Sequence, residues 1–251
     1  MSAPGREVLH PARAVDRWLP EALHGPARRV LTPRMAGRSD TGHVALTLDD
    51  GPDPLSTPHL LGVLDRHDVR ATFFLVGERA ASAPGLVRSM HAAGHELAVH
   101  GWTHDAVLRR RPDELAADLA RTADLLEGLT GRRPRWYRPP FGVTTRASVI
   151  AARGCGLEPV LWTAWGRDWS RYVSAAGVAW RVRRTLRPGG TVLLHDTDRY
   201  GTPGSWRRTA EALDVLLREW RALGWEVGPL RDHGLPVGPP RPRDVSRVAA
   251  V

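Results

Sequence analysis

The chain has 251 residues, of which 42% are apolar and 25% charged, the balance of an ordinary globular protein and long enough for one sizeable α/β domain. Its formal net charge is +9, yet all 36 basic residues are Arg and none is Lys, and they are scattered along the chain. A bias spread over the whole composition argues against a dedicated nucleic-acid surface; it suits attraction to anionic groups on a glycan, nucleotide or lipid.

In residues 1–42, Pro4, Pro11, Pro20, Pro26 and Pro33 would break any long helix. Trp18, Leu19, Leu23, Val30 and Leu31 suit short pieces packed on the domain, so this stretch is expected to be an arm lying on a barrel. Arg6, His10, Arg13, Asp16 and Arg17 interrupt every apolar run that a signal peptide would need. No stretch approaches the roughly 20 apolar residues of a membrane-spanning helix, and a cytoplasmic location is expected.

The first buried strand is predicted at Val44–Leu48 and runs directly into Asp49-Asp50-Gly51-Pro52. That is a good turn sequence, but its two carboxylates leave a buried strand in opposite initial directions. One can then face a metal while the other faces a water. A helical face follows at Leu60, Leu61, Val63 and Leu64, then a strand at Ala71–Val76. The third strand, Glu96–Val99, is followed by His100-Gly101-Trp102-Thr103-His104. A spacing of four brings both imidazoles to one point if the segment makes a single helical turn. Two imidazoles and one carboxylate would leave open positions on a divalent ion, as a hydrolase needs.

Leu115, Leu119, Leu125, Leu126 and Leu129 mark a second helix, and Arg135–Tyr137 a fourth strand. After it, Arg138 precedes two prolines, so its backbone is stiff, and its fork suits bidentate pairing with a carboxylate. Cys155, the single cysteine, sits between Gly154 and Gly156 in a turn and reads as an inert thiol; no intramolecular disulfide or thiolate metal cluster is possible. The fifth strand, Glu158–Trp162, leads to Asp168-Trp169. The sixth, Thr191–Leu194, ends in His195, which is either a satisfied core histidine or an imidazole that Asp168 would orient and keep protonated. A third helical face, Leu213, Leu216, Leu217 and Trp220, is closed by Gly224, and Trp225–Val227 is the last strand. Gly228–Arg243, rich in Gly, Pro and Arg, reads as a surface tail.

Apolar strands alternating with helices imply parallel strands covered by helices, and about seven such units favour a distorted barrel over an open sheet. The expected organisation is an arm over 1–42, a barrel over 43–228 and a tail over 229–251. In a parallel barrel all C-terminal strand ends share one rim, so the carboxylates, imidazoles and guanidinium that follow these strands are delivered to one place.

Together these segments resemble the polysaccharide deacetylase family, the NodB-like carbohydrate esterases of family four. Thr47-Leu48-Asp49-Asp50-Gly51-Pro52 is similar to its first motif, His100 to His104 to its second, and Arg138-Pro-Pro-Phe-Gly142 to its third. Asp168-Trp169 and Leu193-Leu194-His195 resemble the fourth and fifth. The resemblance implies a distorted (β/α)7 barrel and metal-assisted hydrolysis of an N-acyl group, an acetyl group above all, on an amino sugar. It implies Asp49 as base, His195 as general acid tuned by Asp168, Arg138 as partner of the base, and Asp50, His100 and His104 as ligands of one ion, expected to be Zn²⁺ with Co²⁺ or another divalent ion able to substitute. The Phe141 N–H would help bind the oxyanion, Trp169 would wall the site, and Leu193 would lie beside the acyl methyl. Trp165 and Phe141 depart from the usual Asp and Tyr, which touches substrate choice more than the reaction. Trp102, Trp136, Trp165, Trp169 and Trp206 offer flat faces for a sugar ring. The expected partner is therefore an N-acylated amino sugar, with no nucleic acid and no membrane span. The rivals are a deformylase or deacetylase of a lipid-linked or antibiotic intermediate, a non-catalytic glycan- or nucleic-acid-binding barrel, and another metal enzyme on a similar barrel, such as an isomerase. That last would need more carboxylate ligands.

Overall fold

The computed structural model describes residues 35–235. Eight strands, all paired in parallel, form one curled sheet. In chain order these are β1 (Val44–Asp49), β2 (Thr72–Leu75), β3 (Glu96–Val99), β4 (Trp136–Tyr137), β5 (Glu158–Pro159), β6 (Ala164–Trp165), β7 (Thr191–His195) and β8 (Val227–Gly228). The order across the sheet is β5-β4-β3-β2-β1-β7-β6. β8 pairs with Val44 and Ala45 at the start of β1, below the point where β2 takes up Thr47–Asp49. This is the distorted barrel expected, with one strand more. The sequence reading ended its fifth strand at Trp162 and predicted none at Ala164–Trp165, because two residues are too few to carry a periodicity.

Helices α1 (Thr57–Arg66), α2 (Gly77–Ser82), α3 (Pro84–Ala92), α4 (Pro112–Thr130), α5 (Arg146–Gly154), α6 (Ala175–Thr185) and α7 (Ser205–Ala222) complete the chain. The faces read from the sequence fall on α1, α4 and α7. α5 and α6 announce themselves instead by their caps: Thr145 Oγ1 accepts from the Ser148 N–H at 3.0 Å, and Ser174 Oγ from the Gly177 N–H at 3.1 Å. The main core lies between helices and sheet, built from residues such as Leu46, Leu48, Phe73, Leu119, Leu194, Leu213 and Trp220. A smaller cluster, Ala45, Phe74, Ala98, Trp136, Val160, Leu230 and Leu235, packs separately from it.

Among the described residues no ladder joins β5 to β6, so the barrel has a seam. Two devices satisfy the backbone there, as buried polar groups require. Arg138 donates from Nε to the Val160 carbonyl at 3.2 Å and from Nη2 to the Leu161 carbonyl at 2.7 Å. The Leu161 N–H in turn donates to the Met35 carbonyl at 2.7 Å, and Thr191 Oγ1 to the Gly37 carbonyl at 2.6 Å. Of the stretch read as a tail, Leu230, His233 and Leu235 are buried, and Leu230 N–H donates to Thr72 Oγ1 at 2.8 Å. The Trp18 to Leu31 packing residues of the arm, and the tail beyond Leu235, lie outside the described residues. Among the described residues no helix is long and apolar enough to cross a membrane.

Candidate active site

The candidate residues lie at the C-terminal ends of strands or in the segments that follow them, apart from Leu193 within β7. β1 ends in Asp49 and β7 in His195, and the two are register partners. Thr47 and Asp49 share a face by the period of two, and Arg138 Nη1 reaches both, at 2.7 Å to Thr47 Oγ1 and 2.7 Å to Asp49 Oδ1. Arg138 is fully buried. Its fork is not spent bidentately on one carboxylate, as its residue type suggested. One nitrogen serves Asp49 while the others hold the seam carbonyls, because the guanidinium lies between Asp49 and the gap.

Asp50 turns the other way, with a left-handed backbone (φ 84°) that Asp tolerates better than most residues. Its Oδ1 lies 3.3 Å from His100 Nε2 and 3.2 Å from His104 Nε2. The two histidines do not converge through a helical turn. His100 N–H still follows the ladder, donating to the Leu75 carbonyl at 2.9 Å; then Gly101, at φ 99°, bends the chain and returns His104 to the site. Only a glycine takes that backbone without strain. Burial pushes the Asp50 carboxyl up, but the imidazoles of His104 and His195 more than offset it and hold it well below its usual range.

Asp50, His100 and His104 each offer one ligand atom, all within 4.8 Å of one another. The donor chemistry fits a cation. His100 Nδ1 donates to the Arg138 carbonyl at 2.8 Å, so in the neutral ring Nε2 carries the lone pair, 3.3 Å from a carboxylate oxygen. That oxygen, Asp50 Oδ1, is buried and accepts no hydrogen bond among the described residues. Lone pairs facing one another in a buried place repel unless a positive charge sits among them, and two imidazoles with one carboxylate are the donor set of an open zinc-type site.

His195 is oriented from behind. Asp168 accepts from its Nδ1 at 2.9 Å and from its backbone N–H at 2.8 Å, and also from Thr209 Oγ1 at 2.9 Å. Burial would lower the His195 pKa, but Asp168, with help from Asp50 and Asp49, raises it to about 10. Nδ1 is committed to Asp168, so Nε2 is the edge left for chemistry. Next to it, Asp196 is buried, with Thr57 Oγ1 donating to its Oδ2 at 2.5 Å; burial raises its carboxyl to about 7.

Phe141 has a left-handed backbone (φ 61°), unusual for a bulky residue and of the kind that clusters at functional sites. Among the described residues nothing accepts a hydrogen bond from its N–H. Trp165 and Leu193 are register partners on β6 and β7, which places them on one face. Trp165 and Trp169 are half-buried, with ring centres 6.4 Å apart. Trp136 and Trp206 belong to the core, and Trp102 lies under the Arg121 guanidinium at 3.4 Å, so those three faces are taken.

The structure thus brings Asp49, Asp50, His100, His104, Arg138, Asp168 and His195 to one end of the barrel. The sequence reading gave no separate role to Thr47 and missed Thr209. Thr47 carried a signal, a hydroxyl two residues before Asp49 within an apolar strand. Thr209 carried none, since its contact with Asp168 depends on how α7 packs.

A family model described as polysaccharide deacetylase matches residues 36–160. A chitooligosaccharide deacetylase from Bradyrhizobium sp. (strain ANU 289) is 36% identical over 199 residues, covering 76% of this chain and 90% of that protein. A family 4 acetyl xylan esterase from Clostridium thermocellum, solved with a cobalt ion, superposes with a TM-score of 0.69 at 30% identity, over 76% of this chain and 89% of that one. A family pseudoenzyme from Bacillus anthracis superposes with a TM-score of 0.70 at 28% identity, over 78% of this chain and 66% of that one. The fold therefore does not guarantee activity, and chemistry depends on the residues at the rim. By its sequence, its barrel and its rim, this chain belongs to the polysaccharide deacetylase family.

Proposed function

We propose that this chain hydrolyses the N-acyl group, an acetyl group above all, of a short amino-sugar oligosaccharide, with one divalent ion held by Asp50, His100 and His104. The observation that carries the reading is the meeting at one rim of three ligand atoms within 4.8 Å, the buried Asp49 carboxylate and an imidazole oriented by Asp168. The ion, Zn²⁺ by its donor set with Co²⁺ able to substitute, supplies when bound a Lewis acid for the acyl carbonyl and a water that is nucleophilic at neutral pH.

The chain's own residues do the rest. Arg138 occupies Asp49 Oδ1, so Asp49 Oδ2 is the oxygen that takes the proton from the attacking water. The Phe141 N–H is a donor for the oxygen that becomes negative as the acyl carbon turns tetrahedral. His195 gives a proton from Nε2 to the amine nitrogen as its bond to the acyl carbon breaks, while Asp168 holds the other edge of the ring. The products are a carboxylate and a free amino sugar. Leu193 and Trp169 are the residues that line the acyl group.

A short, soluble substrate is supported by the Bradyrhizobium chitooligosaccharide deacetylase, which this chain covers over 90% of its length. The test is amine release from N-acetylated chitooligosaccharides, with polymeric chitin and peptidoglycan alongside, with and without a chelator. Release from the oligosaccharides that chelation abolishes and Zn²⁺ or Co²⁺ restores is expected. No release from any amino sugar under saturating metal would overturn the reading, and faster release from polymer would overturn its short-substrate part.

A further inference from the structure

The two imidazoles proposed as ligands are held by different physics. His100 has the usual arrangement, its Nδ1 donating to the Arg138 carbonyl at 2.8 Å, which fixes both tautomer and ring plane. Metal-ligating histidines almost always have such a partner on the second nitrogen. His104 has none: its Nδ1 is buried and makes no hydrogen bond among the described residues. Its ring is instead clamped by aromatic neighbours. Tyr200 stacks on one face, with centroids 3.9 Å apart and planes inclined by 12°. Phe141 meets it edge-to-face at 4.6 Å and 72°.

Tyr200 is itself anchored. It sits in the loop between β7 and α7, and its hydroxyl hydrogen-bonds Arg79 at the start of α2. Arg79 Nη2 lies 2.9 Å from Asp53 Oδ2, and the same oxygen accepts from Arg199 Nε at 2.9 Å, so both flanks of the phenol are tied to one buried carboxylate. Farther along the loop, Thr202 N–H donates to the Trp169 carbonyl at 3.0 Å. Stacking geometry of this quality comes from a held ring, and parallel or offset aromatic contacts favour a particular plane.

We propose that Tyr200 is a positioning residue for the His104 imidazole: its anchored ring does for His104 what the Arg138 carbonyl does for His100, keeping Nε2 aimed at the point shared with Asp50 and His100. This rests on the metal-centre reading of the site. It makes the β7–α7 loop, which carries none of the family-like motifs, part of what sets metal affinity.

The test uses the full chain, stripped of metal and titrated with Zn²⁺ against a competing chelator, and with Co²⁺ followed by visible absorption. Circular dichroism and thermal melting check folding for each variant. Tyr200→Leu, which keeps bulk but not a planar ring, is expected to weaken Zn²⁺ binding by about 10- to 100-fold, the usual cost of losing a supporting partner of a ligating histidine. It is also expected to alter the Co²⁺ spectrum. Tyr200→Phe, which keeps the stacked ring but not the hydroxyl's bond to Arg79, is expected to stay closer to wild type than Tyr200→Leu in both readouts. Folded Tyr200→Leu with wild-type affinity and spectrum would overturn the assignment, as would Tyr200→Phe behaving like Tyr200→Leu. Should Tyr200→Leu fail to fold, Tyr200→Trp, another flat ring, against Tyr200→Met, a flexible chain, makes the same comparison. A wild-type protein that binds neither ion would instead defeat the metal reading itself, a separate and distinguishable result.

Discussion

Arg138 Nη1 lies 2.7 Å from Asp49 Oδ1, and neither side chain has appreciable access to water. The same guanidinium holds the carbonyls of Val160 and Leu161 across the seam of the barrel. One cation therefore compensates the proposed base and closes the fold where no strand ladder does.

Arg138→Met removes a buried charge and strands its partners. Asp49 would keep its carboxylate without compensation, and two carbonyls would lose their donors. Breaking a buried pair by removing one partner typically costs about 3–5 kcal/mol. Arg138→Lys keeps a charge for Asp49 but has no planar fork for both carbonyls, so an intermediate loss is expected. Denaturant melts measure this. A loss below about 1 kcal/mol for the Met variant, the scale of an exposed ion pair, would show that the seam is held by other means.

Adjacent carboxylates with different jobs give a second prediction. Asp50→Asn keeps a residue that tolerates the left-handed φ of 84° but removes the one negative charge among the three proposed ligands, so most bound metal should be lost. Asp49→Asn should keep the metal, about one equivalent as an open site of this kind holds, and lose about 10²–10⁴-fold in turnover. Metal analysis and amine release on the same samples separate the two. Equal metal loss in both variants would mean that the carboxylates share one role.

How much of this was legible in the sequence follows from where each residue sits. Asp49, His100, Arg138 and His195 were readable because each ends or follows an apolar strand, and in a parallel barrel that position is the functional rim. The bend at Gly101 was not, because a spacing of four between histidines is also compatible with a helical turn; the glycine's φ of 99° decided it. Arg138's hold on Val160 and Leu161 was invisible, since it depends on β5 and β6 failing to pair. β6 itself was too short to leave a pattern. Tyr200 lies in a loop whose residues have no periodicity, and nothing in its neighbours names His104 as its partner.

The Asp168–His195 pair predicts a pH shift. Burial lowers the His195 pKa, and Asp168 is the largest influence raising it, to about 10 in the metal-free chain. Asp168→Asn removes the raising charge and leaves the lowering burial. The alkaline limb of the rate profile should therefore move to lower pH, with wild type and variant compared under the same saturating metal. Thr209→Val, which removes one hydrogen bond to Asp168 but not its charge, should move the limb less. An alkaline limb unmoved in Asp168→Asn would remove Asp168 from the role of tuning His195.

The last prediction concerns acid stability and lies away from the rim. His95 is buried, and its Nδ1 accepts from the Ala71 N–H at 3.2 Å, an arrangement open to that nitrogen only while it is unprotonated. Burial, with Arg70 and Arg231 adding to it, lowers its pKa from 6.5 to about 4. The His43–His233 pair, Nδ1 to Nδ1 at 3.1 Å, is likewise held neutral by burial. The folded pKa of His95 lies below the unfolded one, so as pH falls from about 6.5 to about 4 the unfolded chain takes up a proton that the folded one refuses. Its contribution is lost across that window, by about 3 kcal/mol at most. Asp196 works in the opposite direction, because its folded pKa is raised to about 7 by burial and its protonation favours the fold as pH falls. The diagnostic quantity is therefore the difference between wild type and His95→Asn, whose amide oxygen can still accept from Ala71 but cannot titrate. Urea melts from pH 7.5 to 4.5 should show that difference drifting steadily in favour of the variant below about pH 6.5. A difference constant with pH would mean that His95 titrates normally in the folded protein.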